Sequence, residues 1–266
     1  MTHRALTQLS ALLDPDARPI IGHRGASGRA PENTMRSFEL ALEEGADALE
    51  LDVHVSADGD PVVVHDADLA RTTGVRALVA ELPTERVLEL DAGARFTRDG
   101  GITFPWRGQG VRIPLLADVL AAFPTVPLIV EIKTAAASEA VQRVIAERGA
   151  VDRSVLMSFE SAALDIFRVP PWHTGATGSD TIRVIREALC RREPAAPVYS
   201  IFSLPERYHG FPLPISLIAR SARRMGKPVH MWPIDSPARA LSLWRRGASG
   251  MVTNYPSELR ALRDSA

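Results

Sequence analysis

Residues that suit proton transfer, phosphate binding and metal binding lie close to the ends of short apolar segments in this chain. The residues concerned are His23, Arg24, Glu50, Asp52, His65, Glu131 and Lys133. Imidazole groups exchange protons near neutral pH, and carboxylates are preferred ligands of hard divalent cations. Together with a guanidinium and an ammonium, they form a set that suits metal-assisted chemistry on phosphate esters.

The three carboxylates come from two strand-like segments, Ala48–Val55 and Leu128–Ile132. One buried acid could simply pair with an arginine, but three like charges at one sheet edge are costly unless a cation neutralises them. Oxygen ligands suit Mg2+ or Ca2+, and the lack of a nearby cysteine argues against structural zinc. We therefore predict that Glu50, Asp52 and Glu131 bind one Mg2+ or Ca2+ ion.

The two histidines, the arginine and the lysine have both catalytic and structural interpretations. His23 and His65 are the candidate acid and base, although a histidine at a strand end often only makes a structural hydrogen bond. Arg24 could hold a phosphate through its planar fork, or form an ordinary salt bridge. Lys133, on the same face as Glu131, could add positive charge for the phosphate or pair with one of the acids.

Strand-like runs alternate with helical patterns along most of the chain, which predicts a parallel sheet covered by helices. The length of 266 residues matches one (β/α)8 barrel, so we predict a single domain over residues 1–266. The strand-like runs number nine, one more than a barrel needs. They are Pro19–Gly22, Ala48–Val55, Pro61–His65, Leu128–Ile132, Ser154–Phe159, Trp172–Thr177, Val198–Phe202, Pro228–Trp232 and Gly250–Thr253.

The surplus strand is explained by the short link between the second and third runs, Ser56–Asp60. A parallel crossover needs about a dozen residues, so these two strands must form an antiparallel hairpin. Asp58-Gly59 is a favoured two-residue turn. If Ala57 faces Asp60 across it, Asp52 faces His65, and two distant motifs lie side by side.

The segment from about residue 66 to residue 113 has no regular periodicity apart from a helical piece near Thr84–Leu90. A long irregular insertion in a compact domain is usually functional. Because it follows His65 directly, we predict a small cap over the mouth of the barrel. Its apolar residues could line a groove for a lipid substrate; they are Phe96, Ile102, Phe104 and Trp106.

Composition bounds the possible partners and the compartment. The net charge of −1 and the pI of about 6.7 give no electrostatic basis for binding nucleic acid. No continuous apolar run in residues 1–19 has the length of a secretory signal, and no segment suits an integral membrane span. We therefore expect a cytoplasmic protein by default. Cys190, the single cysteine, is expected at a surface or half-buried helix position rather than in catalysis.

Five short motifs appear in a fixed order, each near the end of a strand-like run. They are His23-Arg24-Gly25, Pro31-Glu32-Asn33-Thr34, Glu50-Leu51-Asp52, His65-Asp66 and Glu131-Ile132-Lys133. In this respect the chain resembles the glycerophosphodiester phosphodiesterase family, from about Pro19 to Leu262. The resemblance implies a TIM barrel with an extra hairpin strand and a cap insertion.

The resemblance also implies an activity, the metal-dependent hydrolysis of glycerophosphodiesters to sn-glycerol 3-phosphate and an alcohol. By this resemblance, a hydroxyl of the substrate's own glycerol attacks phosphorus with the help of one histidine, while the other histidine protonates the departing alcohol. Water then opens the cyclic phosphate. Two alternatives remain open. One is a lysophospholipase D or sphingomyelinase D-like enzyme acting on lipids, and the other is a non-catalytic phosphoester-binding module.

The resemblance reaches several further positions. It implies that Trp232 packs on the substrate's small alcohol group, with core packing as the alternative. Pro233 and Asn254 stand where the family often has threonine and aspartate. We expect His54 to support the site or face solvent rather than bind metal, and the motifs give no role to His230. Glu32 and Asn33 could cap the first helix or contact substrate. The head group and the oligomeric state are not predicted.

Overall fold

A computed structural model describes residues 9–192 and 197–265. Residues 1–8, which belong to the N-terminal segment assessed above for a secretory signal, lie outside this description. Within the described ranges, every helix is too short or too polar to cross a membrane.

The strands are β1 (Ile20–His23), β2 (Ala48–Val55), β3 (Pro61–Val63), β4 (Leu128–Ile132), β5 (Ser154–Met157), β6 (His173–Thr174), β7 (Phe202–Leu204), β8 (Arg207–Tyr208), β9 (Phe211–Pro212), β10 (Val229–Met231) and β11 (Met251–Thr253). The helices are α1 (Ser10–Leu13), α2 (Met35–Glu43), α3 (Ala70–Thr73), α4 (Thr84–Leu88), α5 (Leu116–Ala122), α6 (Ser138–Glu147), α7 (Gly178–Leu189), α8 (Ile215–Arg224), α9 (Pro237–Arg245) and α10 (Pro256–Ser265). Short 3-10 helices cover Val79–Glu81, Ala135–Ala137, Val151–Arg153 and Ser161–Phe167.

Eight parallel strands form the main sheet, in the order β6-β5-β4-β2-β1-β11-β10-β7. Its two ends are linked by a parallel bridge between Gly175 and Ile201. The backbone N–H of Ala176 donates to the carbonyl of Ile201 at 2.8 Å, and that of Ser200 to Thr174 at 2.7 Å. The strands therefore curl into a barrel with helices outside, which confirms the predicted fold class.

The ninth strand, β3, pairs with β2 in antiparallel fashion, as the short link predicted. The register, however, differs from the prediction by one residue. Val53 lies opposite Val63, and the N–H of Val64 donates to the carbonyl of Asp52 at 3.0 Å. Asp52 therefore faces Val64 and not His65. The reason is the turn, because the N–H of Ser56 donates to the carbonyl of Asp60 at 3.0 Å and leaves three residues in the loop instead of two.

The start of α2 also corrects a prediction. Thr34, not Asn33, is the N-cap, and its hydroxyl accepts a hydrogen bond from the N–H of Ser37. Asn33 lies one residue earlier with a positive φ of 56°. Its side chain turns towards β2, where its amide nitrogen donates to Asp52 at 2.8 Å.

Residues 66–113 fold beside β3 rather than inside the barrel. Helices α3 and α4 pack with β3 around a small core of their own, formed by Val62, Val64, Leu69, Val79, Val87, Ala92 and Ile113. This core ties the insertion to β3, which ends two residues before His65. Cys190 is exposed at the end of α7, as expected.

A small hairpin, β8–β9, lies between β7 and α8 and was not predicted. Each of its strands has only two residues, which is too short for an alternating pattern to be recognised.

Candidate active site

The candidate residues meet at the carboxyl ends of β1 and β4, beside the middle of the longer strand β2. In the parallel register His23 lies beside Glu50, and Asp52 lies beside Glu131. Side chains two residues apart on a strand share a face, so Glu50 and Asp52 point to the same side of the sheet. The sheet thus gathers the predicted metal ligands at the edge where barrel enzymes place their active sites.

Glu50, Asp52 and Glu131 offer carboxylate oxygens that all lie within 4.8 Å of one another. Glu50 and Asp52 are buried. Burial, together with the charges of Asp52 and Glu131, raises the pKa of Glu50 well above its usual range. Glu50 accepts a hydrogen bond from the backbone N–H of Arg24 at 2.9 Å. This oxygen-only, negatively charged cluster fits a hard divalent cation.

Lys133 forms ion pairs with two of these acids. Its Nζ lies 2.7 Å from Asp52 Oδ1 and 2.5 Å from Glu131 Oε1. Burial alone would raise the pKa of Asp52, but the charges of Lys133 and Arg24 outweigh it and the pKa is lowered. The pKa of Glu131 is raised, because burial outweighs the effect of Lys133. Lys133 therefore forms the ion pairs with acidic residues that its structural interpretation predicted.

Arg24 reaches both the carboxylate cluster and the loop before α2. Its Nη1 donates to Glu32 Oε1 at 2.9 Å, and its Nε lies 3.1 Å from Asp52 Oδ2. Arg24 has a positive φ of 55°, an uncommon conformation for a residue with a side chain. Glu32 does not cap α2; instead it also accepts hydrogen bonds from both terminal nitrogens of Arg71, at 2.6 and 2.7 Å.

His23 is held by a chain of hydrogen bonds that starts at Asp235. The carboxylate of Asp235 accepts from the backbone N–H of Asn254 at 2.8 Å and from its Nδ2 at 2.7 Å. Asn254 Oδ1 therefore faces His23, and the Nδ1 of His23 lies 2.8 Å from it. Because Oδ1 only accepts, Nδ1 carries the hydrogen and Nε2 has the free lone pair. Burial and the charge of Arg24 lower the pKa of His23, which favours the neutral ring.

His65 has a carboxylate partner instead. Its Nδ1 donates to Asp66 Oδ1 at 2.6 Å, and Arg71 Nε donates to Asp66 Oδ2 at 2.5 Å. Burial opposes ionisation of Asp66, but the hydrogen bonds from Arg71 and His65 outweigh it and lower its pKa to about 2. The Nε2 of His54 lies 3.1 Å from the carbonyl of His65. His54 thus supports the backbone that carries His65, and it lies outside the carboxylate cluster.

A cavity of about 390 Å³ opens at this end of the barrel. Among its lining residues are His23, Arg24, Glu50, His65, Glu131 and Trp232. Asp52 and Lys133 lie just behind this wall, in contact with Arg24 and Glu131. The half-buried ring of Trp232 packs edge-to-face on Phe159, with centroids 5.8 Å apart. The structure thus brings all of the predicted site residues together.

The lining residues all come from outside residues 66–113. The apolar groove considered for Phe96, Ile102, Phe104 and Trp106 is therefore not part of this cavity. Ile102 is exposed to solvent, and the indole N–H of Trp106 donates to the carbonyl of Arg29 at 3.3 Å. The insertion instead reaches the site through the contacts of Asp66 and Arg71.

His230 does not belong to the site. Its ring is fully buried, where its Nδ1 accepts from the N–H of Gly250 at 3.0 Å and its Nε2 donates to the carbonyl of Leu12 at 2.9 Å. Burial lowers its pKa to about 4, so the ring stays neutral. It joins α1 to the barrel strands.

Sequence reasoning assigned no role to three residues that orient the site: Asp66, Arg71 and Asp235. For Asp66 the signal was its place in the His-Asp motif, next to a candidate catalytic histidine. For Asp235 it was a carboxylate soon after the end of β10, at the same edge as the other acids. Arg71 carries no such signal, because only the fold of the insertion places it near Glu32.

A family model for the glycerophosphoryl diester phosphodiesterase family matches residues 23–258 of the chain. The chain belongs to this family. The match spans all five motifs, and it confirms the resemblance on which the predicted enzyme class depended.

Relatives and solved structures agree with the assignment. The glycerophosphodiester phosphodiesterase of Caldanaerobacter subterraneus subsp. tengcongensis is 27% identical over 251 residues, which cover 90% of this chain and 95% of the relative. Lysophospholipase D GDPD1 of Mus musculus is 41% identical over 117 residues, covering 42% of this chain and 35% of the relative.

A phosphodiesterase from Oleispira antarctica, solved in complex with the product sn-glycerol-3-phosphate, shares the fold. It superposes with a TM-score of 0.75 at 24% identity, covering 93% of this chain and 97% of that one.

Proposed function

We propose that this enzyme hydrolyses glycerophosphodiesters to sn-glycerol 3-phosphate and an alcohol. The observation that carries the proposal is that two oriented histidines, Arg24, Glu50 and Glu131 line one cavity, with Asp52 in the same carboxylate cluster behind its wall. Hydrolysis of a phosphodiester needs a base, an acid and positive charge near the phosphoryl oxygens, and these residues supply each of them.

The hydrogen-bond partners of the two histidines support different roles. His23 is neutral with a free Nε2 lone pair, so it acts as the base that takes the proton from the attacking hydroxyl. His65 donates through Nδ1 to the carboxylate of Asp66, which offsets a positive charge on the ring. It therefore acts as the acid that protonates the departing alcohol.

Glu50, Asp52 and Glu131 are proposed to hold one Mg2+ or Ca2+ ion. When bound, such an ion offsets charge on the phosphoryl oxygens and lowers the pKa of a nearby hydroxyl. Arg24 adds a charged donor for the phosphate, and Lys133 pairs with Asp52 and Glu131 and holds both carboxylates in place. Trp232 gives the glycerol part of the substrate an apolar surface.

The alternatives to this function either act on a different substrate or lack catalysis. A lysophospholipase D activity needs space for an aliphatic chain beside the phosphate site, and the apolar lining residues Leu204, Pro205 and Leu213 favour it. A sphingomyelinase D-like reaction has no separate structural support. A non-catalytic binding module would not need the hydrogen bonds that orient both histidine rings.

Turnover of purified protein tests the proposal. We expect release of choline and sn-glycerol 3-phosphate from glycerophosphocholine in the presence of Mg2+ or Ca2+. A matched panel with other head groups would define the alcohol that is preferred. Absence of product from every diester in the panel, with either ion present, would refute the proposed activity.

A further inference from the structure

A second cavity, of about 420 Å³, lies between α7 and α8, towards their C-terminal ends. Its volume is within the range of about 300–1,000 Å³ that is typical of small-molecule sites. No described residue lines both this cavity and the active-site cavity, which α7 reaches at its opposite end through Gly178. At a rise of about 1.5 Å per residue, Gly178 and Glu187 are about 14 Å apart along the helix. The second cavity, which we call the arginine cleft, is therefore a separate site.

Four arginines line the arginine cleft: Arg191, Arg192, Arg220 and Arg224. All four are exposed, and none of them has a carboxylate oxygen within 4.0 Å among the described residues. Arginines just outside the cleft are paired, since Arg183 Nη2 lies 3.3 Å from Asp180 Oδ1 and Arg223 contacts Asp16. The cleft thus concentrates positive charge that the described part of the chain does not neutralise.

Two of the arginines belong to α8. Arg220 and Arg224 lie one turn apart, so their side chains project from the same face of the helix. Like charges at this spacing repel each other and weaken a helix. The negative end of the helix dipole attracts cations at the last turn, but Arg223 already lies there and pairs with Asp16. An anion bound between Arg220 and Arg224 would remove the repulsion that the fold leaves in place.

The end of α7 fixes the other two arginines. The N–H of Arg192 donates to the carbonyl of Glu187 at 2.9 Å, and that of Arg191 to the carbonyl of Ala188 at 3.2 Å. These two bonds form a Schellman motif, whose left-handed position is usually occupied by glycine. Here the position holds Arg191, with a φ of 53°. The chain thus accepts backbone strain at a residue whose side chain lines the cleft.

Glu187 supplies a buried acceptor at the same cleft. Its Oε2 is buried and has no hydrogen-bond partner among the described residues. A carboxylate oxygen can only accept, and a buried acceptor left unpaired is costly. Beside it, Val184 and Leu217 form an apolar part of the wall. A ligand that satisfies the whole cleft must therefore combine negative charge with an N–H or O–H donor and an apolar surface.

We propose that the arginine cleft binds a small molecule with two or more adjacent phosphate groups and with hydroxyl or amino donors, the chemistry of a nucleoside diphosphate or triphosphate. The arginines hold the phosphates through paired, charge-assisted hydrogen bonds. Glu187 accepts from a hydroxyl or amino group of the ligand, and Val184 and Leu217 contact its ring. The site does not depend on the proposed hydrolysis, since the described residues that line it lie outside the active-site cavity.

Calorimetric titration of the full chain with ADP, AMP and adenosine tests the proposal. The titrations use excess chelator, so that no divalent cation can draw phosphate groups to the carboxylate cluster of the active site. We expect ADP to bind and adenosine not to bind, with AMP weaker than ADP by about tenfold or more, because each charge-assisted contact contributes at least that factor. The affinity for ADP should also fall as the salt concentration rises.

Substitutions of single arginines locate the binding. Arg220→Ala and Arg191→Gly should each weaken ADP binding by about tenfold or more. Arg191→Gly also relieves the positive φ, so its Tm should rise, which separates a lost contact from a damaged fold. Arg186→Ala, at an exposed arginine of α7 outside the cleft, is the matched control and should bind ADP like the wild type. Arg24→Ala should also leave ADP binding unchanged, because Arg24 belongs to the active site.

Glu187→Ala tests the donor that the ligand must carry. Tripolyphosphate at pH 8 has the charge of the proposed ligand but neither a hydroxyl nor an amino group. Removal of the carboxylate should tighten tripolyphosphate binding, because a like charge is lost. The same change should weaken ADP relative to tripolyphosphate by about tenfold, because an acceptor for the ligand is lost.

The possible outcomes either support the site or overturn it. ADP binding that both arginine variants weaken, and that Arg186→Ala and Arg24→Ala preserve, supports it. Absence of ADP binding, binding that survives in both Arg220→Ala and Arg191→Gly, or binding that Arg24→Ala abolishes overturns it. Binding to phosphatidylglycerol vesicles that needs Arg220, without any binding of ADP, would assign the cleft to an anionic lipid surface and overturn it too. An equal response of ADP and tripolyphosphate to Glu187→Ala would overturn the donor requirement.

Discussion

The Nδ1 of His23 lies 2.8 Å from the Oδ1 of Asn254, and this contact determines which ring nitrogen remains free. The orientation of the amide is set in turn by Asp235, which accepts from Asn254 Nδ2 at 2.7 Å. The proposed base is thus held by a neutral amide and not directly by a carboxylate. A neutral partner holds the ring in place with a smaller rise in its pKa than a charged partner would cause.

Asn254→Asp should move the acidic limb of the kcat/KM profile to higher pH. Burial and Arg24 lower the pKa of His23, and a carboxylate at this position would favour the protonated ring and raise that pKa. Since the proposed base acts in its neutral form, activity would then appear only at higher pH. The profile of glycerophosphocholine hydrolysis measures the shift. An unchanged limb would show that His23 does not act as the base.

Much of the fold follows from the sequence because each barrel strand is an apolar run flanked by a helical pattern. Strand β4, for example, has the predicted bounds, Leu128–Ile132. The register of β2 and β3 was wrong because a three-residue loop and a two-residue turn both fit Ser56–Asp60. Only the backbone hydrogen bond between Ser56 and Asp60 distinguishes them.

The sequence predicted the site residues that are recognisable by their own chemistry. It did not predict the residues that act through a neighbour. The carboxylates and histidines are recognisable by type and by their place at strand ends. Asp235 reaches His23 through Asn254, and Arg71 reaches the site through Asp66 and Glu32. These contacts depend on tertiary structure, and no local pattern encodes them.

Replacement of either proposed catalytic histidine should lower kcat strongly. His23→Ala removes the proposed base and His65→Ala the proposed acid, and loss of one general acid or base typically costs roughly 10²–10⁴-fold in rate. Circular dichroism should show an unchanged fold. His173→Ala is a suitable control, since His173, at the start of β6, contacts Ser200 and does not line the cavity. A histidine variant with near wild-type kcat would contradict its assigned role.

Thr34 and Asn33 should have separable effects. Thr34→Ala removes the N-cap of α2 and should cost about 0.5–2 kcal/mol in urea unfolding, with little change in metal binding. Asn33→Ala removes the amide donor to Asp52 and should weaken Mg2+ or Ca2+ binding in a calorimetric titration. Asn33→Gly tolerates the positive φ, so it separates backbone strain from the lost contact. Equal metal affinity in all three variants would contradict the role given to Asn33.

The carboxylate cluster should make the protein's stability depend on both metal and pH. The pKa of Glu50 lies above its usual value of 4.5 because of burial and its acidic neighbours, so its ionisation in the metal-free protein opposes folding. The stability that comes from keeping the Glu50 carboxyl protonated is fully present below pH 4.5 and is lost as the pH rises through the raised pKa of Glu50. Metal-free Glu50→Gln should therefore have a higher Tm than metal-free wild type at neutral pH, and this advantage should disappear in acid.

With metal bound, the wild type should have a higher Tm than Glu50→Gln, because the cation offsets the repulsion that the substitution relieves. Mg2+ or Ca2+ at about 100 times its Kd should stabilise the wild type by about 2.7 kcal/mol and stabilise Glu50→Gln much less. Chelation should abolish wild-type turnover, and either ion should restore it. Glu147→Gln, on the exposed end of α6, serves as the control and should match the wild type throughout. Turnover that persists in excess chelator, with a Tm that neither ion changes, would refute the metal site.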